Sequence, residues 1–145
     1  MKQSSAFSLV VAAAIGALYS WIAVVFWGWY AAYGPLIMWL RNVLPPKEHH
    51  TLNLVVVNSH DAIVNVLLAA PFAAIALVWF RSKIWSCLLV AVLAALFVNL
   101  WGTDLEGLSA VSHNWQFWLG LVYAVGSLPI AFVLMKALRC RRAHA

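Results

Sequence analysis

Acidic side chains are scarce in this chain: Asp and Glu together number 4 in 145 residues, against 9 Lys and Arg. Glu48, Asp104 and Glu106 fall in short polar stretches, which leaves Asp61 as the one carboxylate inside a long apolar segment. No second carboxylate or basic relay partner is available to it in the other apolar segments, so paired acid–base chemistry is not expected. Cysteine is equally sparse, Cys87 and Cys140, with no CxxC pair. A Gly-rich phosphate loop, HExxH and GxSxG are missing too, and the chain is read as a non-enzyme. Ser59-His60-Asp61 holds the residue types of a hydrolytic triad, but consecutive helical residues point in different directions. With neither an internal repeat nor a Gly/Ser- or Pro-rich linker, residues 1–145 are read as a single domain.

Hydrophobic residues are what the chain does have: 66% of it, against roughly 45–50% in a soluble domain. The expected fold is all-α, an integral membrane bundle of four transmembrane helices with an interfacial helix or re-entrant loop after the first. The helices are placed at about 6–28, 52–80, 84–101 and 115–137, each near the roughly 20 residues that span a hydrocarbon core. The first run does not stop at Ala12–Ala14, so a retained helix is expected in preference to a cleaved signal peptide. Residues 29–44 change character: aromatics cluster, and Gly34 and Pro35 interrupt the helical pattern, which suits a segment lying along the membrane. Pro45 and Pro46 then mark a turn, and Pro129 is expected to kink the last helix.

Basic residues set the orientation. With the amino terminus inside, Lys2, Arg81, Lys83, Lys136, Arg139, Arg141 and Arg142 lie at inner ends, and only Arg41 and Lys47 lie outside. An inner (plasma) membrane protein with both termini cytoplasmic is expected, its thiols reduced. Because these charges sit at segment ends and form no groove-sized patch, nucleic-acid binding is not expected. Small residues recur four apart at Ala12/Gly16, Ala69/Ala73, Ala91/Ala95 and Gly120/Ala124, a spacing that lets helices approach closely.

Two groups of residues are functional candidates. The first is a polar intramembrane cluster: Asn58, His60, Asp61 and Asn65 on the second crossing, with Asn99 reaching from the third. At about 100° per residue, Asn58, Asp61 and Asn65 share one side of a helix. The plain alternative is that Asn58 or Ser59 caps a helix starting there, with Asp61 in its first turn. The second group is an outer aromatic docking surface of Trp29, Tyr30, Tyr33, Trp39, Trp101, Trp115 and Trp118, alongside Trp27, where an interfacial belt is the ordinary reading. No cofactor is expected: His49, His50 and His113 fall in loops, and His60 alone lacks the facing histidine that a haem or metal needs.

The function expected from this pattern is binding. The chain would be an accessory subunit of a membrane assembly, or a recogniser of immunity or exclusion type that engages another membrane protein. Its partners would be the lipid bilayer and either that protein or a second copy of itself. The competing expectation is a small transporter or channel component with a proton or cation site at Asp61.

Overall fold

The computed structural model describes residues 5–43, 50–80, 84–101 and 115–142. They are all-helical: α1 (Ser5–Tyr33), α2 (Pro35–Val43), α3 (His50–Trp79), α4 (Ile84–Leu100) and α5 (Trp115–Arg142). Three stretches, Ala6–Trp39, Thr51–Trp79 and Phe117–Arg141, are long and apolar enough to cross a membrane. α4 is equally apolar but has 17 residues.

Several boundaries move from where the sequence suggested. Trp29–Tyr33, expected in the interfacial segment, belong to α1, because aromatic residues alone do not end a helix. The break falls at Gly34–Pro35, where Pro35 has no N–H to donate. Hydrogen bonding still steps across it, with Gly34 N donating to Tyr30 O at 2.7 Å and Met38 N donating to Gly34 O at 3.0 Å. α5 runs on through the basic tail to Arg142, where cations suit the negative end of a helix. Pro71 and Pro129 both lie inside helices that continue past them.

α1 packs mainly on α4, and α3 on α5; lighter α1–α3 and α4–α5 contacts close the ring. Cross-helix contacts give the directions. Cys87 donates its thiol toward Ser8 O, while Ser20 meets Ala95 and Asn99, so α1 and α4 run parallel. Tyr19 against Phe72 and Tyr30 against His60 make α3 antiparallel to α1. The parallel pairing rests on small residues. Ala12, Gly16 and Ser20 of α1 face Cys87, Ala91 and Ala95 of α4, all of them buried. A Cβ added to Gly16 would overlap the Ala91 carbonyl, so these backbones touch. On α3, Ala69 and Ala73 are likewise fully buried. The fourth expected stripe is displaced: Gly120 is exposed with open space beside it, and Ser127, Leu128 and Ala131 supply the buried face of α5.

The outside of the bundle is apolar, with Val10, Leu67, Phe97 and Val122 all exposed, whereas Ser20, Asn65 and Ser127 are buried. That inversion suits a lipid surround, in which close packing and interhelical hydrogen bonds hold helices together. Tyr19 illustrates it, its hydroxyl donating to Ala124 O of α5 at 2.9 Å.

Candidate functional site

The polar cluster sits well inside α3. That helix starts at His50, so Asn58 and Ser59 are roughly two turns into it and cap nothing. The capping alternative fails because Thr51–Val57 contains no helix breaker, and its apolar residues continue the helix. Asn58 turns its amide back on Leu54 O at 2.7 Å, satisfying itself within its own helix, and does not bond to Asp61.

Asp61 and His60 do meet. Asp61 Oδ1 lies 3.0 Å from His60 Nδ1, although adjacent residues diverge along a helix. On the other side of the ring, His60 Nε2 is 3.2 Å from the hydroxyl of Tyr30 on α1. A carboxylate can only accept, so Nδ1 carries the proton and, in the neutral ring, Nε2 accepts from Tyr30. The Tyr30 ring stacks on the imidazole at 5.6 Å, and Trp27 approaches edge-on at 6.3 Å. Tyr30 reaches this position by lying over Gly34, where an added Cβ would come 2.9 Å from two of its ring carbons. Tyr30, expected on the docking surface, is therefore an inward-facing member of the polar site.

Asn65 ties α3 to α1. It is 4% exposed, donates to Asp61 O at 2.9 Å and accepts from Trp27 Nε1 at 3.0 Å. A carbonyl only accepts and an indole only donates, so the orientation of this amide is fixed. Asn99 does not bond to Asp61. Its amide nitrogen donates to Ala95 O at 2.9 Å and to Ser20 Oγ, while the Ser20 hydroxyl donates to Ala95 O at 3.1 Å.

These residues surround one cavity of about 330 Å³. Ala23 and Trp27 of α1, Asp61 and Asn65 of α3, Asn99 of α4, and Gly120 and Tyr123 of α5 line it. Four helices thus converge on a single carboxylate, and Asp61 and Asn99 share a space without touching. Deeper in the bundle, Tyr19, Leu128 and Phe132 are fully buried, and the void among Ala73, Leu88, Ala91 and Leu128 holds about 10 Å³. The cavity therefore ends on a packed core.

Trp29, Tyr33, Trp39, Trp101, Trp115 and Trp118 are all exposed. The helix directions bring the end of α1, the end of α4 and the start of α5 to the same end of the bundle as Asp61. Among the described residues no group of three or more His, Cys, Asp or Glu could hold a metal ion, and His49 and His113 lie outside those residues. Sequence reasoning missed Ser20, Gly34 and Tyr123 as site residues and left Trp27 in the aromatic belt. A periodic signal was present for most of them: Ser20, Ala23, Trp27, Tyr30 and Gly34 follow one another at three or four residues, on one face of α1.

Fold and site together define a helical bundle, three of whose stretches are long and apolar enough to cross a membrane, with an open, largely apolar-walled cavity at its aromatic end that holds one carboxylate. No family model, curated protein or solved structure matches the chain.

Proposed function

We propose that this chain is a small multi-pass membrane protein that acts by binding, with the cavity around Asp61 as its ligand site. The observation that carries this reading is the cavity itself: four helices place one carboxylate and two carboxamides around a space that ends on a packed core. A conducting protein needs a continuous polar path, and the packed side chains around Tyr19, Leu128 and Phe132 favour binding over conduction.

In this proposal α1, α3, α4 and α5 all cross the bilayer and α2 lies at its interface. The 17 residues of α4 reach about 25 Å, slightly short of a typical core of about 30 Å. Its parallel course along α1, from the level of Ser8 to that of Ser20, supports a crossing all the same. The basic residues at the far end of α5, Lys136, Arg139 and Arg141, support a cytoplasmic carboxyl terminus at an inner membrane. Cys140 is exposed there and Cys87 is buried. In sealed right-side-out vesicles a membrane-impermeant maleimide is expected to leave both thiols unlabelled, and permeabilisation to expose Cys140 while Cys87 stays protected. Labelling of Cys140 in intact vesicles would reverse the orientation.

The recogniser or accessory-subunit reading is favoured by a separate observation, the six exposed aromatics at the cavity end. Native mass spectrometry of protein extracted gently from its own membrane separates the two. A small-molecule mass on the wild type that is missing from Gly120→Val supports the cavity, because the added side chain enters open space and narrows it. A stoichiometric protein that survives Gly120→Val but leaves with Trp101→Ala/Trp118→Ala supports recognition through the aromatic end. A bare chain from the wild type and both variants would count against both.

A further inference from the structure

We infer that the Asp61 cavity takes a small organic ammonium ion with an apolar body; the inference rests on the cavity reading above and adds the chemical class of its ligand. Several of the polar atoms lining the space are already engaged within the bundle. Asn99 spends both hydrogens of its amide nitrogen on Ser20 and Ala95. Trp27 spends its single N–H on Asn65, whose own amide nitrogen is turned to the Asp61 carbonyl. Two of the lining groups offer acceptors alone, the second carboxylate oxygen of Asp61 and the amide oxygen of Asn99, while the second hydrogen of the Asn65 amide and the Tyr123 hydroxyl are donors. A ligand group placed between Asp61 and Asn99 must bring N–H or O–H donors.

Charge narrows the class further. Asp61 is the only acidic residue among the described residues, and its one ionic partner among them is His60. His60 stands outside the lining of the cavity, and Asp61 is the one ionisable acid within it. A carboxylate held among helices attracts a cation more strongly than one in water does. Trp27 and Tyr123 add aromatic surface, which favours ammonium groups.

Size and composition set the rest of the ligand. Two unspent oxygens fall short of the six to eight that a calcium ion collects, which points away from a bare metal. The volume of about 330 Å³ lies at the small end of ligand pockets, roughly 300–1,000 Å³. Ala23, Val24 and Ala124 supply apolar wall for a short hydrocarbon body. A primary ammonium donates to Asp61 and Asn99 while its body rests on that wall.

The test uses the full chain in detergent and three probes of nearly equal shape: phenethylammonium, 2-phenylethanol and phenylacetate, titrated by calorimetry. Phenethylammonium is expected to bind saturably, and each of the other two at least about tenfold more weakly, since one charge-assisted hydrogen bond is worth about tenfold to a hundredfold. Asp61→Asn keeps the shape and is expected to lose affinity by a similar factor. Gly120→Val is expected to abolish binding while leaving the unfolding temperature unchanged, which guards against a variant that merely misfolds. No saturable phenethylammonium binding, or wild-type affinity in Asp61→Asn, overturns the inference. Binding of 2-phenylethanol or phenylacetate as tight as that of the ammonium, if removed by Gly120→Val, overturns the cation but leaves the cavity as a binding site.

Discussion

Gly16→Ala is expected to destabilise the bundle by about 1–3 kcal/mol, the usual cost of forcing one extra carbon into a packed core. The added Cβ would overlap the Ala91 carbonyl oxygen and come 2.7 Å from the Ala91 Cα. Both are backbone atoms, so no rotamer change relieves the clash, and α1 and α4 must separate. The penalty also overrides a gain in the opposite direction, because glycine to alanine inside a helix ordinarily stabilises by about 0.5–1 kcal/mol. Gly28→Ala and Gly126→Ala provide the contrast. A Cβ at either position meets nothing within 4 Å, so both variants are expected to hold or slightly raise stability. Denaturation of the detergent-solubilised protein, followed by helicity in SDS titration, reads all three. A neutral Gly16→Ala would mean that the α1–α4 contact does not hold the bundle together.

The same contact sets how the site is built. Parallel packing of α1 on α4 fixes Ser20 against Asn99, and antiparallel packing of α1 on α3 fixes Trp27 and Tyr30 against Asn65 and His60. α1 is therefore the common wall: its lower half carries the small residues that allow close approach, and its upper half carries the aromatic donors that engage α3. An opening of the α1–α4 seam would shift Asn99 away from the cavity and enlarge it. Gly16→Ala is thus expected to weaken any ligand of the cavity even where the helices still form.

Much of the helical layout was legible because long apolar runs separated by polar stretches have few other solutions. Three small-residue stripes were legible for a similar reason, since spacing of four puts side chains on one helix face whatever the partner. Which helix each stripe would meet was not readable. Nothing local in Ala12/Gly16 distinguishes α4 from α3, and the choice follows from how four surfaces fit at once. The capping alternative at Asn58 went wrong because Asn and Ser carry a strong preference for helix starts, and in this chain the apolar residues ahead of them override it. Tyr30 was placed on the outer docking surface because it lies among aromatics at a segment end; its inward turn depends on Gly34 leaving room for the ring and on His60 lying opposite. Asp61 was marked by composition alone. Its setting, with His60 and Tyr30 in line and Asn99 across the cavity, is a property of the assembled bundle.

Asn65→Ala is expected to cost about 1–3 kcal/mol, the penalty of leaving a buried donor without its acceptor. Asn65 is the buried polar side chain that joins α3 to α1 at the cavity, accepting from Trp27 Nε1 at 3.0 Å and donating to Asp61 O at 2.9 Å. Removing it orphans the indole N–H and opens space beside the Trp27 ring. Interhelical hydrogen bonds in membrane proteins average about 0.6 kcal/mol with a maximum near 1.7, so the bond alone covers only part of the expected loss, and the rest comes from lost packing. A double-mutant cycle with Trp27→Phe separates the two contributions. Phenylalanine keeps an aromatic ring but has no N–H to orphan, so Asn65→Ala is expected to cost about 0.5–1.5 kcal/mol less in that background. The coupling is read from SDS-unfolding free energies of the wild type, the two single variants and the double variant. Additive losses would show that the Trp27 N–H is satisfied by water entering the cavity. The α1–α3 contact at this level would then rest on packing, with Trp27 free to move as a wall of the site.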